Sequence, residues 1–112
     1  MSDCLFCKMV AGDIRPDMVY ENDNVLAFND INPQAPVHVL IIPKAHISTL
    51  NELNDTRLGG EILEVAAELA KQFGIAESGY RTVFNCNPDG GQAVYHLHLH
   101  LLGGRQLAWP PG

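Results

Sequence analysis

The run Tyr95-His96-Leu97-His98-Leu99-His100-Leu101-Leu102 alternates strictly, with an imidazole at every second position and a leucine in each gap. Successive side chains of an extended strand point to opposite faces, so this pattern predicts a strand with Leu97, Leu99 and Leu101 on a core face and three imidazoles on the other. Upstream, residues about Cys4 to Ala11 read as a short helix stopped by Gly12, and Val19-Tyr20-Glu21 and Val25-Leu26-Ala27-Phe28 read as a hairpin around Asn22-Asp23-Asn24. The stretch Val37-His38-Val39-Leu40-Ile41-Ile42-Pro43 is β-branched and nearly all apolar, as in a central strand, with His38 as its one interruption. Leu58, Ile62, Val65, Ala66, Leu69 and Phe73 recur at helical spacing, with Glu61, Glu64, Glu68 and Lys71 on the other side. They predict a helix from about Asp55 to Phe73, capped by Asp55 and ended by Gly74. Tyr80 to Asn85 reads as the next strand.

The order is therefore strands, one long helix, then strands. Connections after the helix are too short for crossovers, so the sheet should be mainly antiparallel, with the long helix on the face away from the imidazoles. The fold class is α+β. No repeat or linker-like change in composition divides residues 1–112, and 46% hydrophobic content suits one domain with one core.

Charge narrows the chemistry. Seven Lys and Arg against 13 Asp and Glu give a net charge of −6, which disfavours non-specific binding to nucleic acid or an anionic membrane and leaves a small molecule or neutral partner. No apolar run is long enough for a membrane helix, and Met1-Ser2-Asp3-Cys4 lacks the basic and apolar regions of a secretory signal, so a cytoplasmic location is expected. Three cysteines, two of them three positions apart, suit a reducing compartment and a metal site better than a disulfide framework. Three imidazoles in register need partners for every ring nitrogen. A solvated face rarely uses them, which leaves catalysis and metal binding as the two readings.

His96-Leu97-His98-Leu99-His100-Leu101-Leu102 resembles the His-x-His-x-His-x-x signature of the histidine triad (HIT) superfamily. Further agreement lies in Asp30 through His38, in Ile42-Pro43-Lys44-Ala45-His46 and in Asp89-Gly90-Gly91-Gln92. The ending, Leu102-Gly103-Gly104-Arg105 through Trp109-Pro110-Pro111-Gly112, is similar to the Hint branch of purine nucleoside phosphoramidases. The resemblance implies a single HIT domain over 1–112, with a five-stranded antiparallel sheet, one long and one short helix, and a homodimer whose sheet continues across the interface. It also implies cleavage of the P–N bond of nucleoside 5′-monophosphoramidates. A dinucleoside polyphosphate hydrolase, using the same attack, is the alternative enzyme. A non-catalytic nucleotide- or zinc-binding protein, with His96, His98 and His100 gripping a metal, is the alternative outside catalysis.

An imidazole with a reference pKa near 6.5 is largely neutral at pH 7 and is then a good nucleophile toward phosphorus. His98, the middle ring, is flanked on both sides by groups that can fix its tautomer, and the resemblance gives it the nucleophilic role. His38 and His100 are expected to donate to the phosphate oxygens, His100 or a neighbour to pass a proton to the amine, and His96 to orient the others. Asn85 and the backbone amides of Gly90, Gly91, Gln92 and Ala93 are expected to hold the phosphate, since glycine permits the close approach an anion needs. By the same resemblance Asp30 accepts from the ribose hydroxyls and Ile31 lines the purine pocket with Phe6 and Phe28, although Phe28 reads first as core. Hint-type enzymes commonly carry a hydroxyl residue where this chain has Ala93, which predicts slower turnover more than weaker binding. Cys4 and Cys7 with His46 and His96 resemble the Cys2His2 structural zinc site of relatives with the N-terminal pair, and catalysis is expected to need no cofactor. Cys86 has no matching partner and reads as an incidental thiol.

Overall fold

The computed structural model describes residues 3–112. Cys4 opens α1 (Leu5–Ala11), its sulfur accepting the Cys7 N–H at 3.3 Å, and Gly12 ends it at φ 87°. Strands β1 (Met18–Glu21) and β2 (Val25–Asn29) form the expected hairpin, because Asn22 Oδ1 accepts from the N–H groups of both Asn24 and Val25 and so replaces strand pairing through the turn. Strand β3 (Val37–Pro43) is buried almost throughout. A 3₁₀ turn at Leu50–Glu52 leads into α2 (Thr56–Gln72), whose first turn is closed by Asp55 Oδ1 accepting from Leu58 N–H at 3.1 Å. Next come β4 (Tyr80–Phe84), a four-residue helical turn α3 (Asn87–Gly90) and β5 (Leu99–Gly103).

The five strands pair antiparallel in the order β1-β2-β3-β5-β4. On one face α2 sets Ile62, Val65, Ala66, Leu69 and Ala70 against Val25, Ala27, Val39, Ile41, Leu97, Leu99 and Leu101. Burying each large side chain here contributes about 1.5–3 kcal/mol, which is what makes the amphipathic helix and the sheet a single unit. The opposite face packs Phe6 of α1 on Leu26, Phe28, Leu40 and Ile42. The imidazoles lie on this second face, away from α2, as the alternation requires. His100 pairs with Leu40 on one side and Val83 on the other, and His38 stands opposite Leu102. Both rings are thus carried by neighbouring inner strands.

Three details differ from the sequence reading. The ladder of β5 begins only at Leu99, so His96 and His98 lie in the stretch that enters the strand. Their segment follows a turn and meets Ile47 through a Leu97 N–H to Ile47 carbonyl bond at 2.6 Å, which replaces strand pairing. Among the described residues a further four-residue helical turn is added to the short and the long helix, because Asn87-Pro88-Asp89-Gly90 closes a turn of its own with Asn87 at φ 63° and Gly91 at φ 79°. Phe73, assigned to the buried face of the long helix, is its C-cap and is exposed.

Candidate functional site

Two clusters share His96 as their joint. The ring of His96 is fully buried at 0% exposure, and its Nε2 lies 2.8 Å from the Pro43 carbonyl. A carbonyl cannot donate, so Nε2 carries the proton, and the neutral ring presents a bare Nδ1. That Nδ1 lies 3.3 Å from the Cys4 sulfur and 3.6 Å from the Cys7 sulfur, while His46 Nδ1 lies 3.2 Å from Cys7. The four donor atoms fall within 4.8 Å of one another. A tetrahedral centre with zinc-like bond lengths would separate a sulfur and a nitrogen ligand by about 3.6 Å, so the sulfur–nitrogen distances of 3.2, 3.3 and 3.6 Å suit such an ion. The Pro43 bond is the kind of outer support that would fix the His96 ring if it held a metal. Burial, then the neighbouring Cys4 sulfur, raises the Cys7 thiol, an effect a bound cation would reverse.

The backbone carbonyl of the same residue accepts from His98. His98 Nδ1 lies 2.8 Å from the His96 oxygen, so Nδ1 bears the proton and the lone pair of the neutral ring sits on Nε2. Phe6 stands nearly perpendicular to the His98 ring, with centroids 5.2 Å apart and planes at 85°, and His100 follows with centroids 5.0 Å away. The hydrogen bond and the two flanking rings together hold the imidazole in one orientation.

His38 and His100 form a directed chain. The Gln34 N–H points at His38 Nδ1 at 3.0 Å, so that nitrogen accepts and His38 Nε2 carries the proton. His38 Nε2 lies 2.9 Å from His100 Nδ1, which makes His100 Nδ1 the acceptor and leaves His100 Nε2–H to donate outward. Asp30 Oδ2 approaches His38 Nε2 at 3.5 Å, and Asp30 Oδ1 accepts from Asn32 N–H at 2.8 Å. The sequence reading had His38 donating directly to phosphate. Its N–H is instead given to His100, because the β3–β5 register brings the rings together, and His38 acts through that neighbour. Asp30, His38 and His100 also lie close enough to suggest a cation site. Binding a metal through His38 Nε2 would strip that proton while Nδ1 is committed to Gln34, so the trio reads as a proton chain.

Burial lowers all three rings. His100 is pushed down to about 4 by desolvation and then by the neighbouring His98 and His38, with Asp30 opposing. His98 is lowered by burial against the His96 carbonyl bond and Asp30, and His38 by burial against Asp30. His96 is likewise lowered, chiefly by burial. Neutral imidazoles at pH 7 suit a nucleophile and a proton chain.

The remaining candidates divide. Asp30 joins the imidazoles, and Ile31 beside it is 98% exposed, an apolar side chain with no protein cover. Phe6 and Phe28 are buried in the second core cluster, so both are walls before they are pocket. Asn85 is half-buried at the end of β4, and Ala93 is exposed after α3. The amides of Gly91 and Gln92, read as phosphate donors, already bond the Pro88 and Asn87 carbonyls at 3.0 and 3.1 Å, because Gly91 caps the turn of α3. The Gln92 side chain is a buried strut: Oε1 accepts from Asn87 N–H, and Nε2 donates to the Ser48 and Val94 carbonyls. Sequence reasoning missed that strut, the Gln34 amide and the Pro43 carbonyl. Gln34 was within reach, since it lies inside the Asp30–His38 segment four residues before the ring it fixes. The reading of His96, His98 and His100 as one metal grip fails, because His96 Nδ1 faces the sulfurs while His98 Nδ1 faces a carbonyl.

The family model described as "HIT domain" matches residues 11–107. The purine nucleoside phosphoramidase of Escherichia coli (strain K12) is 50% identical over 107 residues, covering 94% of this chain and 90% of that protein. A "14 kDa zinc-binding protein" of Zea mays is 50% identical over 115 residues, covering 99% of this chain and 89% of that one. Among solved structures, a HIT family hydrolase from Legionella pneumophila Philadelphia 1 superimposes with a TM-score of 0.95 at 58% identity, covering 97% of this chain and 99% of that chain. Its five-stranded antiparallel sheet, its histidine run and these matches place the chain in one family: it belongs to the HIT domain proteins.

Proposed function

We propose that this protein is a nucleotide hydrolase that cleaves the P–N bond of purine nucleoside 5′-monophosphoramidates, of the adenylyl-amine type, through a nucleotidyl-His98 intermediate. The observation that carries the reading is the His98 Nδ1 to His96 carbonyl bond at 2.8 Å, which leaves the Nε2 lone pair free. That lone pair forms the bond to the α-phosphorus as the P–N bond breaks, its electrons going to the amine nitrogen. The amine leaves with a proton taken up from solvent by way of His100 Nε2, and His38 orients that ring. Water then displaces His98 from phosphorus, and the proton it releases balances the one taken up. Products are the amine and a nucleoside monophosphate, with His98 neutral again. Two displacements replace one difficult step.

For binding, Asp30 accepts from the ribose hydroxyls, exposed Ile31 covers the purine, and Asn85 with the Ala93 amide faces the phosphate. Gly91 and Gln92 shape that loop and make no direct contact. Cys4, Cys7, His46 and His96 would hold a structural Zn²⁺ that ties α1 to the sheet, with no part in the chemical step. The similarity to a zinc-binding protein of Zea mays supports this. We take residues 1–112 to work as one HIT domain within a homodimer, with no nucleic acid or membrane partner. We take the location to be cytoplasmic, since three cysteines, two of them three positions apart, suit a reducing compartment; among the described residues no helix is long and apolar enough to cross a membrane.

The test is incubation with adenosine 5′-monophosphoramidate beside a dinucleoside polyphosphate, with rapid quenching in alkaline denaturant to recover labelled enzyme. Wild type should release the amine and carry label on His98. His98→Ala should lose about 10³-fold or more in rate while still binding adenosine monophosphate. Consumption of the dinucleoside substrate alone would favour the alternative hydrolase, and undiminished cleavage by His98→Ala would remove the mechanism.

A further inference from the structure

We infer that Arg105 is a positioning residue for the His38–His100 proton chain, acting through the Gln34 segment without touching substrate. The argument deepens the function proposed above and rests on it. Arg105 Nε and Nη2 both donate to the Gln34 carbonyl, at 3.3 and 2.9 Å, so a charged fork closes on one backbone oxygen. The same residue's N–H supplies the 3.0 Å bond that keeps His38 Nδ1 an acceptor. Fixing that residue therefore fixes where the His38 proton sits, and through it which nitrogen of His100 donates.

The turn leaving β5 is shaped for this contact. Gly104 adopts φ 91°, and a Cβ built there would lie 2.9 Å from the Pro36 ring, so only glycine lets the chain lie this close to the 34–36 segment and deliver Arg105 to it. The other ties of the segment are the Asn32 N–H to Asp30 Oδ1 bond, the Gln34 Nε2 bond back to the Asn32 carbonyl and the Asp30 N–H bond to the His38 carbonyl, and none of them holds the Gln34 carbonyl. Without Arg105 the backbone at Gln34 loses the anchor on its carbonyl, its N–H is held less firmly toward His38 Nδ1, and molecules in which Nδ1 takes the proton cannot donate to His100 from Nε2. Arg105 itself is exposed, so its removal opens no cavity.

Two measurements on the full chain test this. Long-range proton–nitrogen NMR of the ring nitrogens at neutral pH should give one His38 tautomer in wild type, with bare Nδ1, and a mixture in Arg105→Ala. A mutant cycle should give about a tenfold fall in kcat for Arg105→Ala, and no further fall when Arg105→Ala is added to His38→Ala. An unchanged single tautomer in Arg105→Ala, or losses that multiply across the cycle, would overturn the inference. If wild type fails to cleave the phosphoramidate at all, the proposed function falls, and the NMR comparison still decides the role of Arg105.

Discussion

Acidification should unfold this protein partly through His100, and the size of the effect follows from its surroundings. The ring sits between His38 and His98 on an inner strand, and its pKa is pushed from 6.5 down to about 4. In the unfolded chain it takes a proton near the ordinary value. Between those two values the unfolded state binds more protons than the folded one, so stability falls as pH drops from about 6.5 to about 4 and the loss levels off below that. The full shift corresponds to about 3 kcal/mol, and since solvent reaches part of the half-buried ring and screens it, about 1.5 kcal/mol is the expected share. With a urea dependence of about 2 kcal/mol per molar, the unfolding midpoint should move by about 0.7 M. Urea titrations at pH 7.5, 6.5, 5.5 and 4 should be run on wild type and on His100→Gln, which retains a polar group but cannot titrate. Metal-linked and carboxylate effects are common to both proteins, so the difference isolates the ring. His38 and His98 are lowered too and add loss of the same sign to both curves. Parallel curves, or a wild type that gains on His100→Gln toward acid, would refute the reasoning.

Three further outcomes are expected. Gln92→Leu leaves the Asn87 N–H and the Ser48 and Val94 carbonyls without their buried partner, and should cost about 2–4 kcal/mol in urea unfolding. Chelation should lower the wild-type melting temperature while leaving a Cys4→Ser/Cys7→Ser variant unchanged, because a ligand at a hundred times its dissociation constant contributes about 2.7 kcal/mol. Equal shifts in both proteins, or no bound metal by elemental analysis after zinc supplementation, would remove the zinc reading. Gly103→Ala sets a methyl 2.5 Å from Ile75 Cδ1 and should destabilise by about 1–3 kcal/mol, with Ile75→Val restoring part of the loss by removing that atom.

What could be read in the chain was what repeats locally. The alternation of His96–Leu101, the apolar run of β3 and the stripe and caps of α2 each express one element's geometry, so the sheet, its helix and the face carrying the imidazoles followed. Family resemblance brought together Cys4, Cys7, His46 and His96, and the four donors do converge. The direction of each hydrogen bond did not follow. His38 was read as a phosphate donor because nothing local says that β3 and β5 pair in the register that sets it against His100. Gly90-Gly91-Gln92 was read as an anion cradle because glycines allow one, yet the Gly91 and Gln92 amides turn inward to close α3. Gln92 reaches Ser48 across 44 residues, and no pattern in the chain encodes that distance.

Position 96 spends one side chain and one peptide group on separate tasks: ring Nδ1 toward the sulfurs, ring Nε2 toward Pro43, and the backbone oxygen toward His98. Only the oxygen survives every substitution. A survey of variants at this position will thus record damage to the proposed metal anchor and to the proposed nucleophile as one phenotype, and the two will separate only when Cys4 or Cys7 is altered, where the path to His98 is longer. For anyone redesigning this scaffold, that residue is the hinge pin to leave in place.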